Sequence, residues 1–128
     1  MCYILSAPAH AVHPTKLLKK EEAQGGAMGA AETANKRTIY RYIHKDGLQS
    51  CQLVMGLTIL ESGSVWNTIP AHTHARRMEV YFYFDVPENQ VVFHYMGEPQ
   101  ETRHVLVKNY NAAVSPPWSI HAGSGTSN

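Results

Sequence analysis

The chain has 128 residues, 44% of them apolar, 9% aromatic and 16% charged, which suits one globular domain. With 11 Lys+Arg against 10 Asp+Glu the formal net charge is +1, so there is neither a basic field for a phosphate backbone nor an acidic tail. Those numbers argue against nucleic-acid or anionic-membrane partners and point to a small one.

Met1 to Ala9 carries no charged side chain, and its apolar run Tyr3-Ile4-Leu5 is too short for the h-region of a secretory signal. The longest nearly apolar stretch, Leu53 to Leu60, falls far short of the roughly 20 residues that cross a bilayer. The expected compartment is therefore the cytoplasm, where Cys2 and Cys51 are ordinary thiols without a CxxC spacing. Residues 1–50 read as an N-terminal extension and loop with one candidate strand. Lys16, Lys19, Lys20, Glu21 and Glu22 form a short run of both signs, which reads as solvated surface. The small-residue stretch Gly25-Gly26-Ala27-Met28-Gly29-Ala30-Ala31 has no periodic apolar face and reads as a mobile loop. Thr38 to Ile43, rich in β-branched and aromatic residues, is the candidate strand.

From Cys51 the pattern changes to short β-type runs separated by turn residues: Gln52–Leu60, Val65–Ile69, Met78–Val86, Val91–Met96, His104–Lys108 and Ala112–Ser115. Such runs, with no convincing ten-residue helix among them, predict an all-β sandwich or barrel. Within Met78–Val86, alternation puts Val80, Phe82 and Phe84 on one face and Glu79, Tyr81 and Tyr83 on the other.

Five of the eight histidines (His72, His74, His94, His104 and His121) lie in the second half. His72-Thr73-His74 places two imidazoles at i and i+2, on one face of a strand, with Cα atoms about 6.6 to 6.8 Å apart. Ala75-Arg76-Arg77 is long enough to turn the chain and return Glu79 alongside them, and His121, just past Pro116-Pro117, can close the site from an adjacent strand. Three neutral imidazoles and one carboxylate suit Zn, Fe, Mn, Ni or Co, and such a set can leave positions open to water or substrate.

The composite resembles the cupin signature: HxH then Glu, here His72, His74 and Glu79, and later a Pro five residues before a final His, here Pro116 and His121. Val86, Trp118 and Gly125 stand where the general pattern has Gly, Gly and Asn, departures that point to a particular branch. The runs Gly63-Ser64-Val65-Trp66-Asn67-Thr68, Arg76-Arg77-Met78-Glu79-Val80-Tyr81, Met96-Gly97-Glu98-Pro99-Gln100-Glu101-Thr102-Arg103-His104 and Ser115-Pro116-Pro117-Trp118-Ser119-Ile120-His121 resemble the 5-keto-4-deoxyuronate isomerase family. With Ser6 to His10 and Asn35 to Ile39 the likeness covers nearly the whole chain.

That resemblance implies a cupin-type β-barrel (jelly roll), with residues 51–128 as its metal-binding domain. It further implies a C-terminal cupin domain truncated relative to longer family members, which assemble as hexamers. The implied activity is a zinc-dependent ketol-isomerisation of a sugar acid, 5-keto-4-deoxyuronate, to 3-deoxy-D-glycero-2,5-hexodiulosonate in pectin-type uronate breakdown, with one Zn2+ held by His72, His74, Glu79 and His121. Competing readings are a metal- or sugar-binding cupin without catalysis and an iron-dependent cupin dioxygenase.

Moving a carbonyl between adjacent carbons passes a proton through an enediol, and charge builds on oxygen, where a divalent ion stabilises it. The substrate carboxylate calls for a guanidinium, with Arg76, Arg77 and Arg103 available. The proton shuttle calls for a group within hydrogen-bond reach, with Glu98, Glu101, Tyr83 and His104 available. Glu98 and Arg103 stand as the leading catalytic candidates. Trp66, Tyr81, Tyr83 and Trp118 read as packing or pocket lining, and His10, His13, His44 and His94 as ordinary residues.

Overall fold

The computed structural model describes residues 2–128, and its regular structure is almost entirely β. The helical elements among the described residues are two three-residue 3-10 turns, Lys20–Glu22 and Ala31–Thr33. None is long and apolar enough to cross a membrane. The chain divides into two compact units, one made of residues up to Met28 with Arg37–Ile59, the other of Gly29–Lys36 with Leu60–Asn128.

The first unit is built on β1 (Gln24–Met28), β2 (Arg37–Ile43) and β3 (Met55–Leu60), which form a sheet in that order. The glycine-rich stretch expected as a mobile loop is in fact mostly β1, antiparallel to β2 from Gln24↔Arg41 to Met28↔Arg37. Ladder hydrogen bonds come from the backbone, so a strand that the β-rich neighbour Thr38–Ile43 can template needs little side-chain pattern of its own. Beyond β3, the remaining strands belong to the second unit.

There, β4 (Trp66–His72), β9 (Ile120–Gly125), β6 (Val92–Glu98) and β7 (Glu101–Val107) form a four-stranded antiparallel sheet in the order β4-β9-β6-β7. The pair β5 (Glu79–Tyr83) and β8 (Asn111–Ser115) forms a two-stranded antiparallel sheet from Glu79↔Ser115 to Tyr83↔Asn111. Among the described residues the ladders make three sheets and do not close into one barrel.

The inner faces of the two sheets meet through polar and aromatic side chains. Tyr83 Oη lies 2.8 Å from His94 Nδ1, and the Tyr81 ring sits 5.0 Å from that of His94 and 5.4 Å from that of His121. The alternation read in Met78–Val86 is present, but its polar face, Glu79-Tyr81-Tyr83, turns inward, while Val80 and Phe84 remain exposed. Val107, Ala113 and Ala122 are buried, together with His94, Ser64, Ser115, Ser119 and His121. A buried polar interior must be internally satisfied or given to a ligand, because an orphaned group loses its hydration without return.

Candidate metal centre

The centre assembles where β4 ends, β5 begins and β9 begins. His72 is the last residue of β4 and lies opposite His121 in the β4–β9 ladder, so the pairing brings two imidazoles together from distant parts of the chain. His74 lies just past the strand, and its backbone N–H donates to the Pro117 carbonyl at 3.2 Å, tying it to the turn before β9. Glu79 opens β5 and reaches back toward both.

The three imidazole rings pack with centroids 4.8 Å (His72–His74), 4.8 Å (His72–His121) and 5.1 Å (His74–His121) apart. One ring nitrogen from each lies within 4.8 Å of the other two. Glu79 Oε1 is 2.9 Å from His74 Nε2, and Oε2 is 3.3 Å from His121 Nε2. The latter approach lacks hydrogen-bond alignment, so His121 Nε2 is a buried polar atom without a hydrogen-bond partner in a side chain only 1% exposed. An orphaned imidazole nitrogen facing two other imidazoles and a carboxylate suits a shared cation.

The outer hydrogen bonds agree with that use. His72 Nδ1–H donates to the Pro70 carbonyl at 3.1 Å, which leaves its Nε2 with a free lone pair. His121 Nδ1 meets Ser115 Oγ at 3.4 Å. Burial lowers the pKa of His74, where Glu79 pulls the other way and Arg77 adds to the lowering. Burial likewise lowers that of His121, against the pull of Glu79. For Glu79, burial works to raise the pKa, but the Tyr81 hydrogen bond, His74 and Arg77 together hold it below the usual carboxylate range. The result is neutral imidazoles at His74 and His121 beside an ionised carboxylate, the protonation states that bind divalent transition metals.

Arg77 also belongs to this cluster: its Nε donates to Glu79 Oε1 at 3.1 Å, and a terminal nitrogen lies 2.9 Å from the same oxygen. Arg103 is farther off but in line. It pairs with Met96 on β6, which pairs with His121 on β9, and directly opposed residues share a sheet face. Glu98 ends β6 opposite Glu101 at the tip of the β6–β7 hairpin and is exposed there. His104 falls on the other face of β7, against Phe93 (5.4 Å) and Tyr95 (6.2 Å), and points away from the histidine cluster. Trp66 stacks on Tyr95 at 6.1 Å, Trp118 is exposed, and Tyr81 and Tyr83 face inward.

His94, read from the sequence as ordinary, is fully buried beside the cluster, with Nε2 lacking a hydrogen-bond partner. Burial, aided by His121, pushes its pKa down to about 4. Its one sequence signal is the two-residue step from Met96 on β6, which means little until the register of β9 is known.

The whole chain, residues 1–128, matches the model of the KduI/IolB family. It is 59% identical over 126 residues to the 4-deoxy-L-threo-5-hexosulose-uronate ketol-isomerase of Shouchella clausii, covering 98% of this chain and 46% of that protein. It is 60% identical over 124 residues to the enzyme of that name from Cereibacter sphaeroides, covering 97% and 45%, and 56% identical over 126 residues to that of Caldicellulosiruptor bescii, covering 98% and 46%. The chain thus spans a little under half the length of these relatives. A family model matched from end to end, with identity well above half across nearly every residue, places this chain in the KduI/IolB family.

Proposed function

We propose that this chain carries the metal centre of a ketol-isomerase that converts 5-keto-4-deoxyuronate to 3-deoxy-D-glycero-2,5-hexodiulosonate in the breakdown of pectin-type uronates. The observation that carries this reading is the convergence of His72, His74 and His121 on one point with Glu79 against it. The relatives' names supply the substrate class.

The proposed ion is one zinc per chain, held by His72, His74, Glu79 and His121. When bound, zinc supplies Lewis-acid stabilisation of charge on the substrate's carbonyl and hydroxyl oxygens. Arg103 takes the carboxylate end of the sugar acid through two parallel N–H donors. Its backbone is two strands from His121 in the β9-β6-β7 part of the sheet, about 10 Å by ordinary strand spacing, so its long side chain can reach back along the shared face. Glu98, at the end of β6, takes the proton from the hydroxyl-bearing carbon beside the carbonyl and returns it to the former carbonyl carbon, while the hydroxyl proton passes to the former carbonyl oxygen.

Further parts of the reading concern assembly and location. The two inner faces that meet through Tyr83 and His94 are proposed as two walls of a cupin-type β-barrel (jelly roll), with residues 51–128 as the metal-binding domain. A homo-oligomer is supported by the apolar outer face of the β5–β8 pair, where Val80, Phe84 and Val114 are exposed. The cytoplasm is the proposed compartment, in keeping with two unpaired cysteines.

The test is metal content by mass spectrometry on the purified chain and on His72→Ala, followed by an isomerisation assay of the zinc-loaded full-length protein and its His74→Ala variant. The expected results are about one zinc per chain, lost in His72→Ala, and turnover lost in His74→Ala. Turnover retained in a His74→Ala protein that holds no metal would refute the mechanism.

A further inference from the structure

Glu79 has two oxygens in two different settings. Oε1 faces His74 Nε2 at 2.9 Å and on its other side accepts from Arg77, whose Nε lies at 3.1 Å and a terminal nitrogen at 2.9 Å. Oε2 accepts the Tyr81 phenolic O–H at 2.5 Å, the short distance typical of a hydroxyl donating to an ionised carboxylate. Tyr81 Oη in turn accepts from Thr68 Oγ1 at 3.4 Å. The Tyr81 ring has little freedom to leave, since it packs against both His94 and His121.

The strand carrying Thr68 is shaped for this contact. The β4–β9 register shifts between Asn67 and His72, and within that irregularity Thr68 has φ +58°. A β-branched residue rarely adopts the left-handed region, because its Cβ substituents crowd the backbone. Irregularities of this kind re-aim side chains, and here the hydroxyl meets the phenol that holds the carboxylate.

We propose that Thr68 and Tyr81 are positioning residues that hold Glu79 as a one-oxygen ligand, by engaging Oε2 so that only Oε1 is offered to the ion. This rests on the metal reading of the site. A carboxylate with both oxygens free can chelate, and Oε2 is already only 3.3 Å from His121 Nε2. Removing the phenol therefore changes how many donors the carboxylate contributes as well as how firmly it is held.

The test uses cobalt(II) as the probe, titrated into the metal-free chain while visible absorption is followed, because that absorption is strong in four-coordinate sites and weak at higher coordination. Tyr81→Phe is expected to weaken cobalt binding by about 10- to 100-fold and to lower the absorption per bound ion. Thr68→Val is expected to shift both in the same direction by a smaller factor. Tyr83→Phe, whose hydroxyl meets His94 instead, is expected to leave both at the wild-type values.

Wild-type affinity and spectrum in Tyr81→Phe overturn the proposal, as does weaker binding with an unchanged spectrum, or an equal change in Tyr83→Phe. If Tyr81→Phe does not fold, Thr68→Val decides on the same two readouts, and an unchanged spectrum there overturns it. A wild-type chain that binds no cobalt refutes the metal reading itself, whereas a wild-type chain that binds it with Tyr81→Phe indistinguishable refutes this inference alone.

Discussion

His94 shows how much a single inward-facing side chain can carry. Its Nδ1 lies 2.8 Å from Tyr83 Oη, its neighbours are Tyr81 and Tyr83 on the facing β5 and His121 on the adjacent β9, and burial pushes its pKa down to about 4. Between about pH 6.5, the ordinary value, and pH 4 the unfolded chain binds a proton that the folded chain refuses. Stability therefore falls as pH drops through that window, by up to about 3 kcal/mol from this residue at its lower end. Urea unfolding of the metal-free chain at pH 7 and pH 4.5 should show the loss, and His94→Gln should show a smaller one. An equal pH dependence in the variant would mean that His94 is not the source.

At the scale of the element, β9 is the strand on which the centre depends. It lies between β4 and β6 and pairs with both, and its sequence Ile120-His121-Ala122-Gly123-Ser124-Gly125 is small enough to be crowded. Gly123 lies opposite His94, and a Cβ there would sit 2.9 Å from Tyr83 Oη. Gly123→Ala must push the Tyr83 ring end off His94, and we expect a loss of about 1–2 kcal/mol, toward the low end of overpacking costs because the ring can swing. Denaturant midpoints at pH 7 measure this directly, and an unchanged midpoint would show that the tyrosine moves without cost. The sequence sets His121 on a strand adjacent to the HxH segment, as found, but the extent of β9 is not legible because it lacks the β-branched and aromatic alternation that marks β5 and β6. β1 was missed for the same reason.

On the scale of the whole molecule, the outer face of the β5–β8 pair has apolar residues without cover. Val114 is 57% and Phe84 is 42% exposed, with Tyr110 also exposed and Phe82 packed against Phe84 and Tyr110. Contiguous apolar surface of this kind favours association. Sedimentation of the purified chain is expected to show a concentration-dependent oligomer, and Val114→Lys to shift it toward monomer. A chain monomeric at all accessible concentrations would remove that support for the homo-oligomer.

The sequence by itself determined the all-β character, the family resemblance and the four side chains that meet at the centre. Strand alternation and the HxH spacing are local, and the family-specific runs are contiguous, so both are readable without coordinates. The same i, i+2 rule already placed Tyr81 beside Glu79. Tertiary structure alone decided which face of β5 turns inward, that β4 and β9 pair His72 with His121, that Arg103 shares their face while His104 does not, and that His94 is buried beside them. These follow from register between strands far apart in the chain, and a one-residue slip would send every one of those side chains to the opposite face.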